Sequence, residues 1–294
     1  MTPAALLVAA LAWGVPPGAV APAPPAAAPA PVPPAVPGAS RADGASPRAA
    51  AVAAFDRARA RAASAPAVVR DITLPSIERL IQDADIRAGS VTVPERDQAF
   101  VRANLETART YAERVAAGDD PYRTATGMIV KAYRAEWDGT LQPYALYVPR
   151  DYKPGRPGGW PLVVALHGAY SDHRHNLRRV FGLDNRPREN DSEASRNELP
   201  LPDVPALVVS PFGRGELMGY DGLGGHDVMR VIADVRRAYD VDADRISLTG
   251  LSMGGGGTGA RGVGSRLIAA SARSSAASLY AGIHALCATS GYSV

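Results

Sequence analysis

One junction in the sequence constrains the fold more than any other feature. Residues 245–249 (RISLT) are predicted to form a strand, and they run directly into Gly250-Leu251-Ser252-Met253-Gly254. This G-x-S-x-G pattern is typical of a sharp strand-to-helix turn that lifts one hydroxyl above the edge of a sheet. Side chains at the two glycine positions would clash in such a turn. We therefore expect the hydroxyl of Ser252 to stand at the N-terminus of a helix.

The segments before this junction predict the sheet that it belongs to. Residues 162–166 (LVVAL) form a continuous apolar run, which is typical of a strand buried on both faces of a parallel sheet, and 206–209 form another. Residues 227–239 place apolar side chains on one helical face. Residues 128–137 and 141–148 are predicted as two strands joined by a turn at Asp138-Gly139. Strand, helix and strand in this order predict a doubly wound α/β sheet.

The chemistry expected at the junction is acyl transfer. A serine hydroxyl at a helix N-terminus is surrounded by backbone N–H groups, whose dipoles favour a negative oxygen. Leu166-His167-Gly168 closes an earlier strand, and in such folds that loop supplies a second oxyanion donor. The glycine run 254–257 is not followed by Gly-Lys-Ser/Thr, which argues against a phosphate loop. Ser252 is therefore the candidate nucleophile.

At this point the sequence resembles a known family. Residues from about 133 to 258 are similar to the secreted esterase and peptidase branch of the α/β-hydrolases. That branch includes polyhydroxybutyrate depolymerase-like enzymes, feruloyl esterase-like enzymes and prolyl oligopeptidase-family serine peptidases. The resemblance is carried by the segments LQPYALYVPRDYKPG, WPLVVALHGAYSDHRHNLRRVFG, GHDVMRVIADVRRAYDVDADRIS and LTGLSMGGGGT.

The resemblance implies particular roles for three residues. Ser252 would be the nucleophile, and the backbone N–H groups of Met253 and Ala169 would form the oxyanion hole. The expected substrate is a small-molecule or polymeric ester or peptide. The resemblance does not decide whether an ester bond or a peptide bond is cleaved. A secreted serine hydrolase that cleaves carboxylic esters is the first interpretation, and a prolyl oligopeptidase-like peptidase is the alternative.

The chain departs from the family after the nucleophile. Only 42 residues follow Ser252 in the 294-residue chain, none of them is Asp or Glu, and His284 is the single histidine. The family's triad order is Ser, then acid, then His. Missing sequence or a shifted reading frame near Thr258 is the interpretation we favour, which makes residues 259–294 an atypical tail. The expected fold is therefore an incomplete α/β-hydrolase sheet, and a third interpretation is a catalytically inactive fragment or binding module.

The remaining histidines and acids have weaker claims to a catalytic role. We expect His167 to shape the oxyanion loop, His173 and His175 to lie in a polar solvated loop, and His226 to cap a helix or face solvent. Three acids before the nucleophile are nominal substitutes for the missing triad acid: Asp221, Asp227 and Asp234.

Metal and disulfide chemistry are not expected. The lone Cys287 excludes an internal disulfide, and no CxxC or Cys/His cluster is present. Two histidines without carboxylate support are weak evidence for a metal site. No cofactor and no metal are therefore expected.

The N-terminal part predicts export and a separate helical region. An apolar run at 4–15 followed by Ala19-Val20-Ala21 predicts a signal peptide over 1–21, and an Ala/Pro-rich linker follows over 22–50. A helical region is expected over 51–125, with helices at 52–63, at 75–86 and from a Thr92/Glu95 capping box to about 117. The α/β core is expected over 126–258.

Export to the periplasm or the medium predicts a mature start between 21 and 50, and an intact Met1 on cytoplasmic protein, found by mass spectrometry, would overturn it.

Composition excludes one class of partner. The net charge is only +3 despite a pI near 9.1, and the arginines are scattered without a basic block. Nucleic-acid binding therefore lacks its electrostatic footprint. The apolar run at the N-terminus is too short to span a bilayer, so no stable membrane anchor is expected.

Overall fold

The computed structural model describes residues 46–89, 95–183, 201–262 and 268–269. The strands are β1 (Gly127–Arg134), β2 (Leu141–Val148), β3 (Trp160–Leu166), β4 (Leu207–Pro211), β5 (Val241–Gly250) and β6 (Ile268–Ala269). The helices are α1 (Pro47–Ala62), α2 (Leu74–Ala88), α3 (Glu95–Ala116), α4 (His173–Val180), α5 (Leu223–Ala238) and α6 (Met253–Gly262). A π-helical turn, Val69–Thr73, leads into α2.

These strands form one mixed sheet in the order β1-β2-β4-β3-β5-β6. β1 and β2 pair antiparallel, as do β2 and β4, whereas β4, β3, β5 and β6 run parallel. Alternate strand residues face two separate cores. The helices α1, α2, α3 and α5 pack on one face, and α4 with residues 201–206 covers the other. The expected α/β class, with a helical region before the sheet, is confirmed.

Most predicted elements are confirmed, with shifted ends. β2 has both predicted ends, and α2 covers the predicted helix at 75–86. α1 begins at Pro47, five residues before the predicted start, because Ser46 Oγ accepts a hydrogen bond from the N–H of Ala49 at 3.2 Å and proline fits the first helical position. Thr92 of the predicted capping box lies outside the described residues. None of the described helices combines the length and the apolar character needed to cross a bilayer.

One local prediction was wrong. His173 and His175 lie in helix α4 and not in a loop, because both backbone N–H groups of Arg174 and His175 donate to Asp172 Oδ1 at 2.8 Å and cap the helix. His173 is buried, with its ring edge against Phe212. His226, which was expected to cap a helix or to face solvent, lies in the first turns of α5 with an exposed side chain, so the second alternative is confirmed.

The open edge of the sheet at β1 is covered by α2. Ser76 Oγ donates to the carbonyl of Ile72 at 2.6 Å and accepts the buried N–H of Ala132 at 3.0 Å. An unpaired N–H on an edge strand would otherwise be available to another chain or stay unsatisfied in the core. This one hydroxyl therefore joins the helical region to the sheet.

We expect Ser76→Ala to lower the free energy of unfolding by about 2 kcal/mol, because it leaves the buried N–H of Ala132 without an acceptor. Urea denaturation followed by circular dichroism measures this loss. Ser64→Ala is the matched control. Ser64 is exposed, and its hydroxyl accepts from the guanidinium and donates to the carbonyl of the neighbouring Arg61, so we expect no measurable change there. Equal stability of both variants would contradict this role for Ser76.

Candidate active site

The turn between β5 and α6 places Ser252 in a rare backbone conformation. Its φ is +53°, one of three positive values among the described non-glycine residues. L-amino acids pay roughly 1–3 kcal/mol to occupy such a region, and such strain concentrates at functional sites. The side chain is exposed at the start of α6. The structure therefore forms the sharp turn that the motif predicted.

Close approach of backbone to backbone explains the two glycines of the motif. A Cβ on Gly254 would overlap the carbonyl oxygen of Leu166 and would lie 2.8 Å from that of His167. A Cβ on Gly250 would overlap the carbonyl group of Gly254. The N–H of Leu251 also donates to the carbonyl of Leu166 at 3.2 Å. Helix α6 therefore starts directly against the end of β3, and only glycine fits at both positions.

The loop after β3 lies against the serine. A Cβ on Gly168 would be 3.4 Å from Ser252 Cβ and 3.2 Å from the carbonyl oxygen of Leu251. The predicted oxyanion donors, Ala169 and Met253, directly follow Gly168 and Ser252 in the chain. In the part of the chain that the structure describes, neither of their N–H groups donates a hydrogen bond to another residue. Their role in holding an oxyanion stays a prediction.

His167 holds this loop to its neighbours. Its ring is fully buried, and its two nitrogens lie 2.8 Å from the carbonyl oxygens of Gly168 and Phe212. Its backbone N–H donates to the Tyr220 hydroxyl at 2.8 Å. His167 thus links the loop after β3 to the loop after β4, as its place in the motif led us to expect. Both ring nitrogens are engaged, so His167 is not a general base for Ser252.

Tyr220 is a site residue that the sequence analysis missed. Its ring packs edge-on against His167 at 5.6 Å between ring centroids. A Cβ on Gly257 of α6 would lie 2.6 Å from Tyr220 Cβ, and one on Gly213 would lie 2.9 Å from its ring. Two glycines thus make room for this side chain. Neither glycine belongs to a recognised motif, so the sequence alone did not indicate the position of Tyr220.

Of the three nominal acids, Asp227 is the most deeply built into the scaffold. It accepts the Tyr133 hydroxyl at 2.6 Å and the N–H of Gly213 at 2.7 Å, one on each oxygen. Burial raises the pKa of Asp227 to about 6, although these two hydrogen bonds oppose the shift. Its geometry is that of a brace between α5, β1 and the loop after β4. Neither oxygen is left to orient a triad histidine.

The other candidates do not complete a triad among the described residues. Asp234 is buried and pairs with Arg230 at 3.2 Å, and Asp221 is exposed. Ser252 Oγ makes no hydrogen bond to any described residue, and residues 253–262 and 268–269 include no His, Asp or Glu. His284 and Cys287 lie outside the described residues. The described site therefore consists of a candidate nucleophile and two candidate oxyanion donors.

Comparisons with known proteins point to hydrolases at low similarity. A thermostable esterase is 26% identical, with a TM-score of 0.34, over 49% of this chain and 40% of that one. The feruloyl esterase module from Clostridium thermocellum, solved with sinapinate, is 17% identical, with a TM-score of 0.35, over 58% and 64% of the two chains. S-formylglutathione hydrolase from Staphylococcus aureus is 21% identical, with a TM-score of 0.31, over 45% and 50%.

Each of these three structures is named as an esterase or a hydrolase. The chain spans about 40% to 64% of their lengths. No protein-family model and no curated protein matches the sequence. The TM-scores of these three structures are below 0.5, so we rely on the geometry at Ser252 itself to describe the site.

We expect Gly254→Ala to destabilise the protein by about 3 kcal/mol or more, since the new methyl group meets backbone that cannot move away. Gly256→Ala is the matched control in the same helix. A Cβ at Gly256 meets nothing within 4 Å, so this change is expected to be neutral or to stabilise by up to about 1 kcal/mol. Urea denaturation of both variants measures the difference. Similar values for the two would show that the close packing at Gly254 is wrong.

The brace at Asp227 predicts a pH-dependent difference. Its folded-state pKa lies above the unfolded value, so the folded state binds more protons and loses stability as pH rises from about 4 through 6. In Asp227→Asn, the amide can accept from Gly213 and donate to the Tyr133 hydroxyl without a charge. We expect the stability of the variant relative to wild type to rise by about 2 kcal/mol between pH 4.5 and pH 7. Denaturation curves at both pH values measure it, and a constant difference would contradict the buried charge.

Proposed function

We propose that this chain carries the nucleophile of a serine hydrolase that cleaves carboxylic esters. The observation that supports this best is the left-handed φ of Ser252 at a strand-to-helix turn that excludes side chains on both flanking glycines. Such strain persists only where the surroundings hold it, and it presents the hydroxyl at a helix N-terminus. The loop after β3 lies against the same serine and offers a second set of backbone donors.

The proposed reaction proceeds through an acyl-enzyme. Ser252 Oγ attacks the ester carbonyl carbon and gives up its proton to a base, and the carbonyl oxygen becomes negative. The N–H groups of Met253 and Ala169 donate to that oxygen. The alcohol then leaves with a proton as the C–O bond breaks, and water hydrolyses the acyl-serine to release the acid. The described residues supply the nucleophile and the two donors of this sequence, but not the base.

An ester fits these residues better than an amide. An alcohol leaves with less protonation than an amine, so ester cleavage depends less on a general acid. Among the described residues no imidazole or carboxylate is placed against Ser252. With the proposed oxyanion donors alone, we therefore expect faster cleavage of an activated ester than of a peptide bond.

Because those donors act without a described base, we expect weak activity. Serine hydrolases that lose their triads keep roughly 10³- to 10⁴-fold catalysis over water through the oxyanion hole and binding. Turnover at that level with an activated short-chain ester is the expected result for this chain. Turnover comparable to that of a working esterase would contradict it and would indicate a base outside the described residues.

We expect a fluorophosphonate probe to label Ser252 slowly and stoichiometrically. Ser252 Oγ bonds to the phosphorus as the P–F bond breaks, fluoride and the hydroxyl proton leave, and the phosphonyl oxygen occupies the oxyanion position. Peptide mapping by mass spectrometry identifies the labelled residue. Ser252→Ala should abolish the label, whereas Ser64→Ala, which alters an exposed serine elsewhere, should leave it unchanged. A label on another residue, or full labelling of Ser252→Ala, would show that the nucleophile lies elsewhere.

A further inference from the structure

A cavity lies at the end of the sheet opposite to Ser252. It has a volume of about 440 Å³ and is bounded by the last turn of α5, by residues 64–69 and by residues 118–123. Tyr239, which lines it, precedes β5, whereas Ser252 follows the other end of that strand. The ten residues of β5 span roughly 30 Å, so the cavity is separate from the proposed active site.

The floor of this cavity contains a buried lysine. Lys131 of β1 is 1% exposed, and it is one of only two lysines among 32 lysines and arginines in the chain. Its register partner on β2 is Tyr144. The ammonium nitrogen lies 4.7 Å from the ring centroid of Tyr122 and 5.1 Å from that of Tyr239. A chain that uses arginine almost everywhere therefore places a compact ammonium here, against two aromatic faces.

This ammonium has no carboxylate partner in the part of the chain that the structure describes. None of the described ion pairs, which extend to 4.0 Å, involves Lys131. A buried charge without an ion-pair partner costs free energy, and it is normally neutralised, paired or matched by a ligand. Burial lowers the pKa of Lys131 to about 8, so at neutral pH the charge remains on most molecules. The contacts of the ammonium with the rings of Tyr122 and Tyr239 offset only part of the free-energy cost of burying it.

The acids around the cavity are engaged by other groups. Asp119 pairs with Arg114 at 2.6 Å, and Asp120 Oδ1 accepts the Thr73 hydroxyl at 3.0 Å and the N–H of Tyr122 at 3.1 Å. The guanidinium-bearing side chains that line the cavity are Arg61, Arg123 and Arg237. Arg237 is itself paired with Asp71 at 2.7 Å. Lys131, Arg61 and Arg123 still outnumber the two carboxylates of the lining, so the electrostatic character of the cavity is positive.

The remaining walls are apolar. Ala65, Pro66, Val68, Val69 and Val115 line the cavity beside the tyrosine rings. Its volume falls within the range of pockets that hold small organic ligands. A bare inorganic anion would use the cations and leave these walls in contact with water. A ligand with one anionic group and a compact apolar body matches both parts of the lining.

We propose that this cavity binds a small organic carboxylate with an apolar or aromatic body. The carboxylate pairs with the ammonium of Lys131, and the body packs against Val68, Val69 and Val115. The inference does not depend on the proposed hydrolase function, since it uses no residue of the site at Ser252.

The pH dependence of binding follows from the groups around the ammonium. Asp120 and Asp234 are the carboxylates whose charges act on it, and the phenols of Tyr122, Tyr144 and Tyr239 have pKa values raised by burial. Arg237 approaches from α5. Carboxylate binding requires the protonated lysine, so affinity is retained below about pH 8 and falls as pH rises through that value. We expect a roughly tenfold loss between pH 7 and pH 9.

The test uses benzoate as the carboxylate probe and benzamide as its neutral match, with isothermal titration calorimetry on the full chain. Benzoate is expected to bind at least about tenfold more tightly than benzamide, and Lys131→Met should remove that preference. Lys153→Met, which changes the exposed second lysine, should leave both affinities unchanged. Benzoate binding that is equal in wild type and Lys131→Met would overturn the proposal, as would no binding to wild type.

A second measurement keeps the test valid if Lys131→Met fails to fold. Protein labelled with ¹³C-lysine gives side-chain signals from two residues only, and Lys153 serves as the internal control. Benzoate should raise the titration midpoint of the Lys131 signal and leave that of Lys153 in place. An unchanged Lys131 midpoint would contradict the proposal. Hexanoate should displace benzoate better than inorganic phosphate does, because only hexanoate has a body that can pack against the apolar walls. Equal competition by phosphate and hexanoate would contradict the role given to those walls.

Discussion

The site at Ser252 depends on contact between two pieces of backbone. The start of α6 packs on the last carbonyls of β3 so closely that Gly254 cannot carry a side chain, and Gly250 is restricted in the same way by Gly254. This contact turns the chain sharply at the end of β5 and holds Ser252 in a left-handed conformation. The loop after β3 is brought to the serine by the same packing. Strain at one residue is thus compensated by the parallel pairing of β3 with β5.

A second layer of contacts fixes the loops around that turn. The ring nitrogens of His167 contact the carbonyl oxygens of Gly168 and Phe212. The Tyr220 hydroxyl accepts a hydrogen bond from the His167 N–H, and the Tyr220 side chain packs on Gly257 of α6. Asp227 braces the loop after β4 from below through Gly213. These groups hold the backbone of the loops after β3 and β4, including Gly168, which directly precedes Ala169. The proposed function therefore relies on a buried polar network more than on the exposed serine alone.

The sequence predicted those parts of the structure that follow from local pattern. Continuous apolar runs identified β3 and β4, and the strand leading into G-x-S-x-G identified the turn at Ser252. Local pattern failed where a short polar interaction decides the outcome. The polar segment that contains His173 and His175 was predicted as a loop, but the side chain of Asp172 caps it as a helix. Helix α1 begins earlier than predicted because Ser46 caps it at Pro47. Lys131 was missed because a single lysine in a strand is ordinarily a solvent-facing residue. Only its place in register with the inward-facing Ile129 and Tyr133 shows that it is buried.

The most direct test of the central claim is a crystal structure of the chain after reaction with a small fluorophosphonate. We expect phosphorus bonded to Ser252 Oγ, a positive φ at Ser252, and a phosphonyl oxygen about 2.7–3.1 Å from the backbone nitrogens of Met253 and Ala169. A phosphonyl oxygen turned away from both nitrogens, or a Ser252 in ordinary helical conformation, would show that this turn does not form the proposed oxyanion site.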